Sequence, residues 1–307
     1  MIHIYNGDVV AELARRAELP GEHLAFREAL ANGPVTAEAS TELRAQFLAA
    51  EYGRKLLRVR HELIEQVEAL SAAMKHDEIV LWFEHDLFCV ANLLSLLVRF
   101  AEHRRLTLVW NPQPLSQADL AALFESRSAV TPSMLRAARK AWAALTSDDP
   151  MDLNRFTKRQ NPDFPFLRDG MRLHASRFPS LRNGLGAVEQ RMLEIVVAGA
   201  ADFRSLFDRF NVDVPRFGFG DGDILRTLRR MATATVPLLT MDEAPGSPPK
   251  ALFRITPAAE NVLRGDVDYA RVNPPSGWLG GVNLTQHNYW RWDERKHEIT
   301  PSPSAVS

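Results

Sequence analysis

The sequence predicts an α/β protein: a parallel, three-layer domain over residues 1–115, then a helical segment, then a winged-helix-like α+β domain. Three observations predict it. Short apolar runs at residues 2–5, 78–83 and 106–110 alternate with stretches of helical periodicity. The order strand, helix, strand, two helices, strand, helix, strand implies parallel pairing with right-handed crossovers. Beyond residue 180, three helical segments precede two short strand candidates.

The elements follow in order. IHIYNGD is an alternating apolar strand that stops at Gly7, and Asp8 is placed to cap the helix VVAELARRA. After Pro20 and Gly21, HLAFREAL reads as a second strand and ANGP, residues 31–34, as a loop. Residues 41–74 read as two helices divided near Gly53, with an apolar stripe including Leu56, Leu63, Val67 and Leu70. EIVLWF at 78–83 has the unbroken apolar character of a strand buried on both faces, and Asp86 is placed to cap a helix over 87–101. LTLVW at 106–110 repeats that character.

Residues 116–180 form the helical connecting region, with one helix starting at a Thr-Pro step and a polar stretch broken by Pro162 and Pro165. The breakers in PSLRNGLG mark a boundary or hinge near 179–186. Over 181–295, VEQRMLEIVVAG, DFRSLFDRF and DGDILRTLRRMA read as helices, while VPLLTM and ALFRIT flank the turn-rich EAPGSPPK. The segment from Pro274 to Thr300 is rich in Trp and Gly and reads as strands, with Trp290 and Trp292 on a packed face and Arg291 outside it. Residues 296–307 read as a disordered tail.

A length of 307 residues with 46% hydrophobic and 24% charged residues suits a soluble protein with two cores. The formal net charge of -1 supplies no global attraction to nucleic acid or an anionic membrane. The single Cys89 excludes an intramolecular disulfide and a cysteine-built zinc site, and reads as a small buried hydrophobe. No apolar run reaches the ~20 residues that span a bilayer. The chain opens on a strand pattern without the basic and apolar regions of a signal peptide, so the cytoplasm is the expected location.

Three strands end in polar residues: Asn6, Gly7 and Asp8; Arg27 and Glu28; and Glu84, His85 and Asp86. Ligands of parallel α/β sheets bind outside the carboxyl ends of the strands, so crossover geometry brings these groups to one edge. A histidine between two carboxylates suits general acid–base work or a divalent cation, and adjacency does not choose between them. Helix capping competes for Asp8 and Asp86, and a surface ion pair competes for Arg27 and Glu28. Gly7, at a helix N-terminus, is a weak phosphate cradle, and no GxGxxG, Walker or GxSxG pattern is present. His61 and Glu65 lack the second histidine of HExxH and read as a solvated helix face, so no metal site is expected.

The third helix of the winged-helix-like domain carries Arg226, Arg229 and Arg230, a candidate for the major groove. Residues 182–264 contain 11 basic and 10 acidic residues, which favours packing or dimerisation over reading DNA. Trp278 with Gly280 and Gly281 suggests a close backbone approach beside a covered pocket; the alternative is a tight turn pinned by a tryptophan.

Together IHIYNGD, FREALANGP at 26–34 and LWFEHDLF at 81–88 resemble the bacterial "domain of unknown function 1835" family over roughly residues 1–112. The resemblance implies that Gly7, Asp8, Arg27, Glu28, Gly33, Pro34, Glu84, His85 and Asp86 are site positions. It departs from the family pattern at Phe26, where Trp is usual, and at Cys89 and Val90, where a DQ pair often follows. The C-terminal half resembles a long form with a helical and winged-helix-like extension, and the resemblance brings no established activity. The functional expectation is an enzyme binding a small polar or phosphorylated ligand at the carboxyl edge, by hydrolysis or group transfer, with His85 as acid or base and Glu84 or Asp86 orienting it. The alternatives are a ligand-sensing regulator whose C-terminal module contacts DNA or protein, and a homo-oligomeric scaffold.

Overall fold

A computed structural model of the protein describes residues 1–36, 40–212, 217–244 and 250–302. It opens with β1 (Ile2–Asn6), α1 (Asp8–Arg16), β2 (Glu22–Phe26), β3 (Gly33–Pro34), α2 (Thr41–Glu51), α3 (Leu56–Ala73), β4 (Ile79–Glu84), α4 (Leu87–Arg99) and β5 (Leu106–Asn111). There follow α5 (Leu120–Glu125), β6 (Ser128–Ala129), α6 (Pro132–Thr146), α7 (Met151–Thr157), α8 (Pro165–Ala175), α9 (Ala187–Val197), α10 (Phe203–Val212) and α11 (Asp221–Thr233). The remainder is β7 (Leu239–Ala244), β8 (Lys250–Ile255), α12 (Pro257–Arg264), α13 (Tyr269–Val272), β9 (Gly277–Gly280), β10 (Val282–Leu284), β11 (Trp290–Asp293) and β12 (Glu298–Pro301).

The central sheet has the order β2-β1-β4-β5-β6, with the first four strands parallel and β6 antiparallel at the edge. β4 shows why its sequence is continuously apolar. Ile79, Leu81 and Phe83 enter the large core, while Val80 and Trp82 pack on the opposite face with Ala11 and Ala14 of α1 and Leu120 and Phe124 of α5. A strand covered on both faces has no solvent side to carry polar residues. Strand order reverses at β1, so the carboxyl ends of β1 and β4 flank the switch point at which ligands of such sheets bind.

The helix boundaries follow local chemistry. Asp86 accepts the Cys89 N–H at 2.7 Å and starts α4. Thr131 caps α6, with Pro132 at its first position. α2 and α3 are separated at Gly53, whose φ is 62°. The first helix differs from expectation: Gly7 is its cap, with φ 92°, and Asp8 lies inside the first turn without capping it. Its carboxylate is drawn instead to Arg27.

Several other expectations are corrected. The second strand ends at Phe26, so Arg27 and Glu28 lie beyond it. Gly33 and Pro34, read as a loop, form β3, which pairs in parallel with Leu279 and Gly280 of β9. The segment 179–186, expected to be a boundary or hinge, is tied to the C-terminal strands: Pro179 O accepts from Trp292 N at 2.8 Å, Leu181 N donates to Trp292 O at 2.9 Å, and Ser180 and Asn183 are buried. Arg291 lies inside, bonded to Ser180 O and to Asp268 at 2.9 Å, because burying a cation is tolerable where a carboxylate meets it. Part of the supposed tail is β12, whose Ile299 is buried and bonded through both backbone groups to the Asn154 side chain at 2.6 and 2.7 Å. Residues 303–307 lie outside the described residues, as does most of the turn between β7 and β8.

α9, α10 and α11 precede the antiparallel pair β7–β8. Their apolar residues join one buried cluster that extends from Ile2 to Ile299, so the core is continuous across residues 115 and 180. Among the described residues no helix is long and apolar enough to cross a membrane.

Candidate functional site

The carboxyl edge and a cavity between the first domain and the later helices both gather polar side chains. At the edge, the parallel register aligns Asn6 with Phe26, and Glu84 with Asn111, so the three polar strand ends share one side of the sheet. Their side chains are then distributed among structural contacts. Asn6 donates to Cys89 Sγ at 2.9 Å and accepts from the buried Asn92 at 2.7 Å. Asn92 also donates to Glu28 O and accepts from Leu30 N, tying the loop after β2 to α4. Burial pushes the Cys89 thiol pKa up, which leaves it a packed group rather than a nucleophile.

Arg27 grips Asp8 through Nε and Nη2 at 2.7–2.9 Å on the exposed surface. Its hydrogen bonds hold the Asp8 carboxyl below the usual range. Glu28 turns the other way and meets Arg44 at 2.7 Å, both side chains being at most 10% exposed. Glu84 accepts from Leu115 N at 2.9 Å and Asp86 is spent on its cap. The His85 ring stacks on Phe166 with centroids 4.2 Å apart and leans on Trp110 at 4.8 Å. Gly7, with φ 92°, has open space where a Cβ would stand. No cluster of three or more metal-ligating side chains occurs among the described residues.

The second place is a cavity of about 460 Å³ whose walls come from β3 and α2, from the end of α8, from α11 and from β9. Gly33 and Trp278, two residues predicted to bind a ligand, line it together. Gly33 has φ 76°, and a Cβ there would fall 2.2 Å from the Phe47 ring, so glycine is what lets that ring lie on the β3 backbone. Gly280 and Gly281 serve packing: Cβ atoms there would stand 2.3 Å from Leu145 O and 2.2 Å from Thr146 O.

Three guanidinium groups line the cavity, those of Arg177, Arg226 and Arg230. Arg226 is shared between Glu51 at 3.2 Å and Asp223 at 3.4 Å, and Arg230 binds Glu189 at 2.5 Å. Arg229 pairs with Glu243, so each of the three arginines considered for DNA contact is engaged within the chain. Arg177 differs. It donates to Ala31 O and, at 2.8 Å, to Asn32 Oδ1, lies 5.2 Å from the Phe219 ring, and among the described residues makes no direct ion pair, Glu189 and Asp223 acting on it only through space. Burial lowers its pKa to about 10, the signature of a cation whose surroundings do not repay its lost hydration.

Asn32 is the pivot of this arrangement. Its Nδ2 donates to Asp223 at 2.9 Å, and Asp223 also accepts from Tyr52 at 2.6 Å. Asn32, Arg177 and Asp223 were not singled out from the sequence. The available signals were Asn32 beside the only Gly-Pro step of its segment, and Arg177 just before the breakers of PSLRNGLG. Chemically, the cavity can accept an anionic group at Arg177. No protein-family model and no curated protein matches the chain.

Proposed function

We propose that the protein binds a small organic anion, phosphorylated or carboxylated, in the cavity beside Arg177. The observation that carries this is a largely buried guanidinium on the cavity wall that, among the described residues, makes no direct ion pair, while its neighbours Arg226 and Arg230 do. An anion there would receive charge-assisted hydrogen bonds from Arg177 in a weakly solvated setting. The expected ligand class is that of the sequence reading; its location moves from the sheet edge to the cavity, because the edge carboxylates and Arg27 already have internal partners.

The test is a calorimetric titration with inorganic phosphate at constant ionic strength. Saturable binding that weakens at least tenfold in Arg177→Met is expected, the scale of one charged hydrogen-bond contact at about 1.5–3 kcal/mol. Absence of saturable binding, or equal binding by the variant, sinks the proposal.

Two finer readings belong with it. Membership of the domain of unknown function 1835 family rests on the three N-terminal motifs. We also read α9–α11 with the β7–β8 hairpin as a winged-helix-like unit used for packing, since Arg226 and Arg230 are held in ion pairs with Glu51 and Glu189. That favours a ligand-holding or sensing role over DNA contact.

A further inference from the structure

Apart from its ion pairs, the cavity is walled by aromatic rings: Phe47, Phe219, Tyr269 and Trp278. Two of these are already in use. Phe219 lies 5.2 Å from the Arg177 guanidinium, and Phe47 lies on the Gly33 backbone with the Arg44 guanidinium 5.5 Å from its centre. Trp278 is half-buried, and among the described residues neither an aromatic ring nor a guanidinium covers its face. A large amphipathic ring lining a cavity presents apolar surface on which a flat partner can stack.

The strand register puts this ring near the anion site. Arg177 is bonded to Asn32; the next residue, Gly33, pairs with Leu279; and Leu279 follows Trp278. Asn32 and Trp278, each one residue before a paired position, are therefore level across the β3–β9 pair, whose backbones lie ~4.8 Å apart, and Arg177, from the segment after α8, reaches that level through its bond to Asn32. Arg177 and Trp278 line the same cavity, so a ligand that joins a ring to an anionic group can use both.

We infer that the ligand is an aromatic phosphate or carboxylate whose ring stacks on Trp278 while its anionic group sits on Arg177. This rests on the anion-binding reading above. The polar groups that line the same cavity, Asn32, Thr227 and Asn273 among them, then select substituents on the ring.

Phenyl phosphate, cyclohexyl phosphate and inorganic phosphate, titrated into the full chain, test it. Phenyl phosphate is expected to bind about tenfold or more tightly than inorganic phosphate. Cyclohexyl phosphate, of similar size without a π face, is expected to fall between them. Trp278→Leu should bring phenyl and cyclohexyl phosphate to equal affinity and leave inorganic phosphate unchanged, and Trp278→Phe should restore most of the difference. If phenyl phosphate gains nothing over inorganic phosphate, or cyclohexyl phosphate equals it in the unsubstituted protein, the ring assignment is overturned while anion binding stands. If no phosphate binds, both fail. The comparison of ligands decides the matter even where Trp278→Leu does not fold.

Discussion

The carboxyl edge of the sheet and the cavity beside Arg177 hold similar residue types in opposite electrostatic conditions. At the edge, charges are closed pairwise: Arg27 with Asp8 in solvent, Arg44 with Glu28 in the interior. In the cavity, three arginines meet carboxylates unevenly, so Arg177 is left with carbonyl oxygens and a ring face. A cluster of polar residues at a strand end is therefore a weak guide to a site when each member already has a partner. A buried cation on a cavity wall without a direct ion pair is a stronger one, because an arriving anion can offset its desolvation.

The sharpest way to break this comparison is at Glu28. Glu28→Ala leaves Arg44 buried without its carboxylate and should cost about 3–5 kcal/mol in denaturant unfolding, with phosphate affinity unchanged in whatever fraction remains folded. A loss below about 1 kcal/mol would show that the edge pair is not structural.

Acid should produce the next largest effect. His174 is fully buried beside Gly280 and burial lowers its pKa to about 3, while His3, between Pro20 O and Trp82 Nε1, is lowered by burial to about 4. Both are neutral when folded and take up a proton once unfolded, below the ordinary value of 6.5. Stability attributable to them is complete above pH 6.5 and falls with pH towards 4, by up to about 1.4 kcal/mol per pH unit for each histidine. Urea unfolding at a series of pH values should show this slope, and His174→Leu should remove about half of it. An unchanged slope in the variant would mean that His174 is charged in the fold.

The smallest effect is expected at Asp8. Both partners of the Asp8–Arg27 pair are 64% exposed, so Asp8→Ala should change stability by no more than about 1 kcal/mol, less at high salt. The depressed Asp8 pKa acts in the same direction as the histidines, its contribution fading as pH falls through the folded value, but solvent screening keeps it small. A large loss, or a loss of phosphate binding, would return the site to the sheet edge.

Much of the first domain was legible because its signals are local. The apolar runs of β1, β4 and β5, the break at Gly53, the Asp86 cap and the Thr-Pro start of α6 each depend on residues within a few positions of one another. Helices α12 and α13 were missed although Thr256-Pro257 repeats the α6 signal. Arg291 was misplaced because alternation states which residues share a face, not whether Asp268 waits on the far side.

The sequence by itself determined the alternation of strands and helices, the parallel sheet and the edge at which its polar strand ends gather, since backbone periodicity and caps are short-range. Tertiary structure alone decided that Gly33 pairs with Leu279, that Asn32 reaches Asp223, and that Arg177, of the three cavity arginines, is the one without a direct ion pair among the described residues. Those outcomes depend on how charges from distant segments balance once packed, and a guanidinium leaves no mark in its own neighbourhood of whether its partner will arrive.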